Sequence, residues 1–286
     1  MSEILTFIAH YSTIFIILAS LFGLVIGSFL NVVIHRLPIM MTQQWREQCD
    51  ALNAMENTPK SSAKKYNLIY PRSACPHCQK TIAAWHNVPV VSFLLLGGKC
   101  NQCKAPISWR YPAVELFSAI LVGLIASKFG YSLHTLAASI FTLALLTLTF
   151  IDLDTQLLPD DITLPLLWLG LLFNLHNGFT DLESAVIGAA AGYLILWTIF
   201  WAFKLITGKE GMGYGDFKML AAIGAWFGWA MLPAVILLAS VAGATIGIGL
   251  IVFAQHGRTT AIPFGPYLAL GGIAALFFGS TLSHIY

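Results

Sequence analysis

The chain has 286 residues, 57% of them hydrophobic and only 10% charged, with a formal net charge of +2. At a mean hydropathy of +0.77 it lacks the charged surface that a soluble domain needs, so most of it must have lipid as its solvent. The small net charge decides little; where the charges fall decides more.

Met1-Ser2-Glu3 lacks the basic start of a cleavable signal peptide, so the first apolar run is expected to be retained. No charge falls between Ile14 and Ile34, a length that meets the ~20 residues a spanning helix needs. Residues 36–110 change character, holding ten of the fifteen Lys and Arg against Glu47, Asp50 and Glu56, which marks a water-exposed insert. Apolar runs then recur near 112–128, where the charges are Glu115 and Lys128, and, without any charge, near 133–151, 162–179, 184–203, 219–254 and 262–282. The 219–254 run is too long for one helix at about 1.5 Å per residue. Gly228 to Pro233 offers a break, which gives eight spans with a short sixth near 217–229.

Loops of such a chain alternate sides, and the basic residues test the alternation. Those of 36–110 fall on the same side as Lys204, Lys209, Lys218 and Arg258, leaving Lys128 on the other. The positive-inside rule makes that side the cytoplasm and turns both termini outward.

The insert carries Cys75-Pro-His-Cys78 and Cys100-Asn-Gln-Cys103, separated by 21 residues. Two such knuckles suit four thiolates around one structural Zn2+. Disulfides are the alternative, but the charge map puts the cysteines in a reducing compartment. His77, inside a knuckle, reads as a solvated loop residue. Cys49 falls on one helical face with Trp45, Leu52 and Met55 and reads as a packing residue of a short amphipathic helix. The expected fold is therefore all-α: a polytopic membrane protein of about eight transmembrane helices with a small cytoplasmic zinc-binding insert. Its divisions are a first helix at 1–35, the insert at 36–110 and a seven-helix core at 111–286.

Acids beside membrane spans are costly and invite a functional reading. Asp152 ends the third span, and Asp216 opens the sixth within Gly213-Tyr-Gly-Asp-Phe-Lys218. The topology puts both at the cytoplasmic boundary. Two carboxylates held close cannot both ionise easily, so one keeps a proton. The ionised partner can take a proton from water while the neutral one polarises a scissile carbonyl. Gly213 and Gly215 would let a substrate backbone approach and allow an unwound helix start. Solvated interfacial aspartates or helix caps account for the same positions, and the residues alone leave both readings open. Asp160 and Asp161, ahead of Pro165, read as a helix start. Asp154 is turned about 200° from Asp152 if the helix continues, so both cannot face one site. Asp181 and Glu183 read as solvated loop residues.

The whole pattern resembles the bacterial type IV prepilin peptidase family, also called type 4 leader peptidases. The resemblance runs through Gly27-Ser-Phe-Leu-Asn31 to Arg36-Leu-Pro38, the two cysteine knuckles and Arg110-Tyr-Pro-Ala-Val-Glu115. It continues through Ile151-Asp152, Pro159-Asp160 and Gly213-Tyr-Gly-Asp216-Phe-Lys218. It implies an aspartyl protease of the Gly-x-Gly-Asp type whose catalytic pair is Asp152 and Asp216. Its substrates would be prepilins and the pseudopilins of type II secretion, cut after a glycine, with no nucleic acid among its partners. Members with the cysteine-bearing insert also N-methylate the new first residue, usually phenylalanine, using S-adenosylmethionine as co-substrate. The resemblance places such a protein in the bacterial inner membrane, with its active site on the cytoplasmic side. Gly98, in Gly97-Gly98-Lys99, resembles the segment linked with methylation; a turn ahead of a knuckle accounts for these glycines equally well.

Arg110 and Glu115 are expected to pair at the base of the second span. A transporter would also place acids near helix breaks, but the span interiors here carry almost no ionisable residue. An assembly scaffold with inert aspartates is the other alternative. The small-residue pairs Gly23/Gly27, Gly188/Gly192, Gly224/Gly228 and Gly243/Gly247 fit close helix packing in any of these.

Overall fold

The computed structural model describes residues 12–53, 66–83, 88–176, 178–253 and 262–282. Among them the chain is all-helical, with no strand and only two isolated β-bridges, Ala74 with Thr81 and Lys99 with Pro106. The α-helices are α1 (Ser12–Asn53), α2 (Val91–Leu95), α3 (Arg110–Phe129), α4 (Leu133–Thr155) and α5 (Asp160–Asn174). They continue with α6 (Leu182–Thr207), α7 (Tyr214–Phe227), α8 (Leu232–Phe253) and α9 (Gly265–Leu282). Each apolar run read from the sequence is a helix. Among the described residues five segments are long and apolar enough to cross a membrane: Ser12–Leu52, Arg110–Phe129, Leu133–Thr155, Leu182–Thr207 and Trp229–Leu250. The chain is a multi-pass membrane protein. The helices α5 and α7, at 15 and 14 residues, fall short of that length, as does the apolar stretch Gly265–Gly279.

The chain divides into two compact units, one ending at Ser139 and the other starting at Ile140. In the first, α1 and α3 cross closely. A Cβ on Gly23 would stand 2.8 Å from the Ser118 carbonyl oxygen, and one on Gly27 2.8 Å from Glu115 Cα. Small residues at this seam let two backbones meet, as membrane helices do where lipid offers no hydrophobic gain. The helix α1 does not stop near Ile34 but runs through Pro38 to Asn53 as one 42-residue element. Cys49 on it is exposed, so it is not a packing residue among the described ones; Met55 of the same expected face lies outside them.

In the second unit α7 is the core. From Asp216 to Trp226 every residue but Lys218 is buried, and an apolar helix enclosed on all sides has no need to be long. It packs on α6 through glycines: a Cβ on Gly224 would meet the Gly188 carbonyl oxygen at 2.2 Å, and one on Gly192 the Leu220 oxygen at 2.7 Å. On its other flank Trp226 Nε1 donates to the Leu166 carbonyl of α5 at 2.8 Å. Asn174, fully buried, donates to the Ala225 and Trp226 carbonyls and accepts from the Phe179 and Thr180 amides. One amide side chain thus satisfies the end of α7 and the α5–α6 turn together. The break expected between Gly228 and Pro233 is there: α7 ends at Phe227, Gly228 turns at φ +79°, and a 3₁₀ turn leads into α8.

Candidate active site

Asp152 lies in the last turn of α4 and Asp216 in the first turn of α7, and both are buried, at 4% and 6% exposure. Burying a carboxylate is costly unless it is hydrogen-bonded. Asp152 Oδ2 accepts the Gly265 N–H at 2.9 Å, so the carboxyl caps the N-terminus of α9. That approach requires glycine, because a Cβ at 265 would stand 2.7 Å from Oδ2. Among the described residues Asp216 Oδ1 has no hydrogen-bond partner, and the charge of Asp152 acts on Asp216. A buried carboxyl oxygen left without a donor, in a side chain on which a second acid's charge acts, is the setting in which one proton held between the two acids relieves both costs.

Leu158 packs on the glycines beside both carboxyls, Gly215 and Gly265. Its side chain occupies the space that a Cβ on Gly215 would need, 2.6 Å away, and it also approaches the Cβ position of Gly265. Gly215 is therefore required by packing on Leu158 rather than by a passing substrate. Gly213 differs. It is exposed, extended at φ −86° and ψ 152°, and a Cβ on it would meet nothing closer than Asp216 Oδ2 at 3.8 Å. The free side of the Asp216 turn is at Gly213. The chain leaves α4 through Gln156, whose φ is +54°, and re-enters helix at Pro159. Lys218 Nζ then meets both Asp160 oxygens at 2.7 Å, joining the start of α5 to the first turn of α7.

Asp154, Asp160, Asp161, Asp181 and Glu183 are all exposed; Asp160 and Asp161 open α5, as a helix start should. Asp181 caps α6 by accepting the Ser184 N–H at 2.8 Å. Gly265 was not foreseen. Its signal was the Phe264-Gly265-Pro266 step at the mouth of the last apolar run, since proline favours the first turn of a helix.

In the other unit the four knuckle cysteines place their sulfurs within 4.8 Å of one another, a possible metal site. The two knuckles share one design. In each the first cysteine's N–H bonds to a carbonyl five residues on (Lys80, Ala105), and its carbonyl accepts from a residue with positive φ (Gln79, Lys104). Cys75 and Cys103 Sγ are 3.7 Å apart, too far for a disulfide. Tetrahedral sulfurs bound at about 2.3 Å from a metal would stand about 3.8 Å apart. Backbone N–H groups of Cys78 and His77 hold Cys75 below the ordinary thiol range, and those of Cys103 and Gln102 bring Cys100 to about 6. Cys103 moves the other way, to about 11: the Ala105 N–H is outweighed by desolvation and the neighbouring sulfurs. Such crowding is relieved by a cation, so the set fits a four-thiolate metal site. His77 is exposed, as expected. Glu115 is buried, and its Oε2 accepts the Val90 N–H at 2.7 Å. Gly98 has φ +68°, donates its N–H to the Phe93 carbonyl and accepts from the Ile107 N–H, which is the work of a turn.

Comparison with known proteins covers both units. The family described as the bacterial peptidase A24 N-terminal domain matches residues 21–129, and the type IV leader peptidase family matches residues 139–248. The prepilin leader peptidase/N-methyltransferase of Aeromonas hydrophila is 55% identical over 269 residues, covering 94% of this chain and 92% of that protein. Proteins of the same name from Stutzerimonas stutzeri and Pseudomonas aeruginosa are 50% and 49% identical, covering 98% and 99% of this chain and 96% and 97% of their own. No solved structure matches the chain.

Proposed function

Because the chain belongs to the type IV leader peptidase family, we propose that it is a membrane aspartyl endopeptidase and methyltransferase. It removes the leader of type IV prepilins and type II secretion pseudopilins after a glycine. It then methylates the exposed first residue, usually phenylalanine, from S-adenosylmethionine. Asp152 and Asp216 are the catalytic pair. The observation that carries this is their convergence from two helices 64 residues apart, both buried, with Asp152 acting on an Asp216 whose Oδ1 has no partner.

In that pair the ionised carboxyl takes a proton from the attacking water. The protonated one donates to the carbonyl oxygen of the scissile bond, and the roles reverse as the amine leaves. Asp152 is the better-anchored partner through Gly265, and the open Gly213 side is where the scissile segment is received. The four cysteines bind zinc, which holds the insert together. The insert, 36–110, and the catalytic pair lie on the cytoplasmic side of the inner membrane, with both termini periplasmic. A basic leader kept in the cytoplasm suits that placement. The test is incubation of the purified protein with a prepilin and S-adenosylmethionine, followed by product mass. A product lacking the leader and heavier by one methyl group is expected; an uncut prepilin overturns the assignment.

A further inference from the structure

In the unit ending at Ser139, α2 (Val91–Leu95) carries an apolar face that the described residues leave largely uncovered. Phe93 is buried, whereas Val91 is exposed and Leu94 and Leu95 stand 67% and 82% open. Trp109, 74% exposed, lies beside it, its ring centre 4.8 Å from that of Phe93. A helix of five residues has no stability of its own in water. Apolar side chains gathered on one open face mark an interaction surface.

The place of α2 in the fold says what covers that face. At its start the Val90 N–H donates to Glu115 Oε2 at 2.7 Å. Glu115 is five residues into α3, about 7.5 Å along the axis from Arg110, and α3 is long and apolar enough to span a bilayer. The short helix is therefore pinned beside the first turns of a span, not held out in solvent beyond it. Trp109 and Tyr111, both exposed, flank that end of α3, as amphipathic rings do at a membrane–water boundary. Asn31 Nδ2 donates to the Tyr111 carbonyl at 3.0 Å, which sets the last turn of the uncharged run of α1 at the same level. At that depth the neighbour is lipid.

The charges say which lipid. Lys99 and Lys104 are exposed between Leu95 and Trp109, and residues 66–110 add Arg72, Lys80 and Arg110 with no Asp or Glu. Four thiolates around one divalent cation would leave about two negative charges, fewer than these five positive ones. A basic leader would be repelled from such a surface, so the substrate is the poorer occupant. We propose that α2 and Trp109 dock the insert onto the bilayer, with Leu94 and Leu95 at the edge of the acyl chains and Lys99 and Lys104 on the phosphates of anionic phospholipids. This is the arrangement of a helix lying in the membrane interface. One basic residue near an anionic surface favours docking about fivefold, so the two lysines together favour it about twentyfold.

The test places the full-length protein in nanodiscs of phosphatidylcholine, with and without phosphatidylglycerol, and follows amide hydrogen exchange over residues 88–110. Exchange there should be slower by about tenfold or more in the anionic discs, because exchange from a locally opened segment tracks the docking equilibrium. Lys99→Gln/Lys104→Gln should remove most of that difference with the thermal midpoint unchanged. Salt at 1 M, where screening sets in within about 3 Å, should do the same to the wild type. Equal exchange in the two kinds of disc overturns the anionic contact. Benzoylphenylalanine put in place of Leu95 and irradiated in the same discs should form phospholipid adducts as readily as at Leu21, an exposed residue of α1. Lipid adducts at 21 and none at 95 overturn the docking, as does an adduct at 95 that forms only with an added prepilin.

Discussion

The two aspartates differ in how they are held, and that difference sets what single substitutions do. Asp152 is tied to the Gly265 N–H, whereas Asp216 Oδ1 is left without a donor. Asn keeps the volume of either side chain but cannot carry the shared proton, so Asp152→Asn and Asp216→Asn should each lower leader cleavage by at least about a hundredfold. The protein should remain inserted and folded; cleavage within a few-fold of wild type by either variant, read by product mass, would remove it from the pair. Asp154 is the internal control, because it is exposed two residues from Asp152. Asp154→Asn should leave cleavage within about twofold and stability within about 0.5 kcal/mol. Gly265→Ala tests the anchor without touching an acid. Its Cβ would press on Asp152 Oδ2 from 2.7 Å, and a displacement of about 1 Å at a reacting group costs about a hundredfold in rate. The loss should appear in kcat, and the thermal midpoint should fall with it, because the same Cβ also crowds Leu158. A kcat within a few-fold of wild type would mean that the anchor at Gly265 does not matter to cleavage.

At the scale of elements, α7 explains how a 14-residue helix can be central to a membrane unit. It is enclosed by its neighbours, and its glycines let α6 come to backbone contact. A methyl group at 224 would meet the Gly188 oxygen at 2.2 Å, and neither partner is a flexible side-chain tip. The helix propensity that alanine gains over glycine, about 0.5–1 kcal/mol, is outweighed by overpacking of about 1–3 kcal/mol. Gly224→Ala should therefore lower the thermal midpoint in detergent, whereas Gly249→Ala, with open space around its Cβ position, should not. A midpoint for Gly224→Ala at or above wild type would mean that α6 shifts without cost. The small-residue pairs were readable in the sequence, as was the break at Gly228, because glycine spacing and a proline are local signals. The length of α1 was not readable: Pro38 and Arg36 look like the end of a span. Three carbonyls from segment 66–71, which take up the Arg36 guanidinium, are a tertiary fact that no window on the chain contains.

For the molecule as a whole, charge and hydropathy make the membrane character legible, since both are sums over long windows. The aspartates were legible as costly acids at span ends, and the cysteines as paired knuckles. Gly265 and Leu158 were not, because their importance arises only when α4, α7 and α9 meet. The same division of the chain yields a separable prediction. The four cysteines lie in the unit ending at Ser139, while both aspartates lie in the unit beginning at Ile140. Cys75→Ser or Cys103→Ser removes one of four ligands from a closed site, so zinc content should fall from about one ion per chain to near zero. The knuckles then lose the cation that offsets their crowded sulfurs, and the insert they hold together loosens. Methylation of the product's N-terminus should drop steeply, and leader removal by much less. Product mass separates the two in one measurement: a cut but unmethylated N-terminus is the expected species. Equal loss of both activities would mean that the insert supports the aspartates as well, and unchanged metal content would exclude the four-thiolate site.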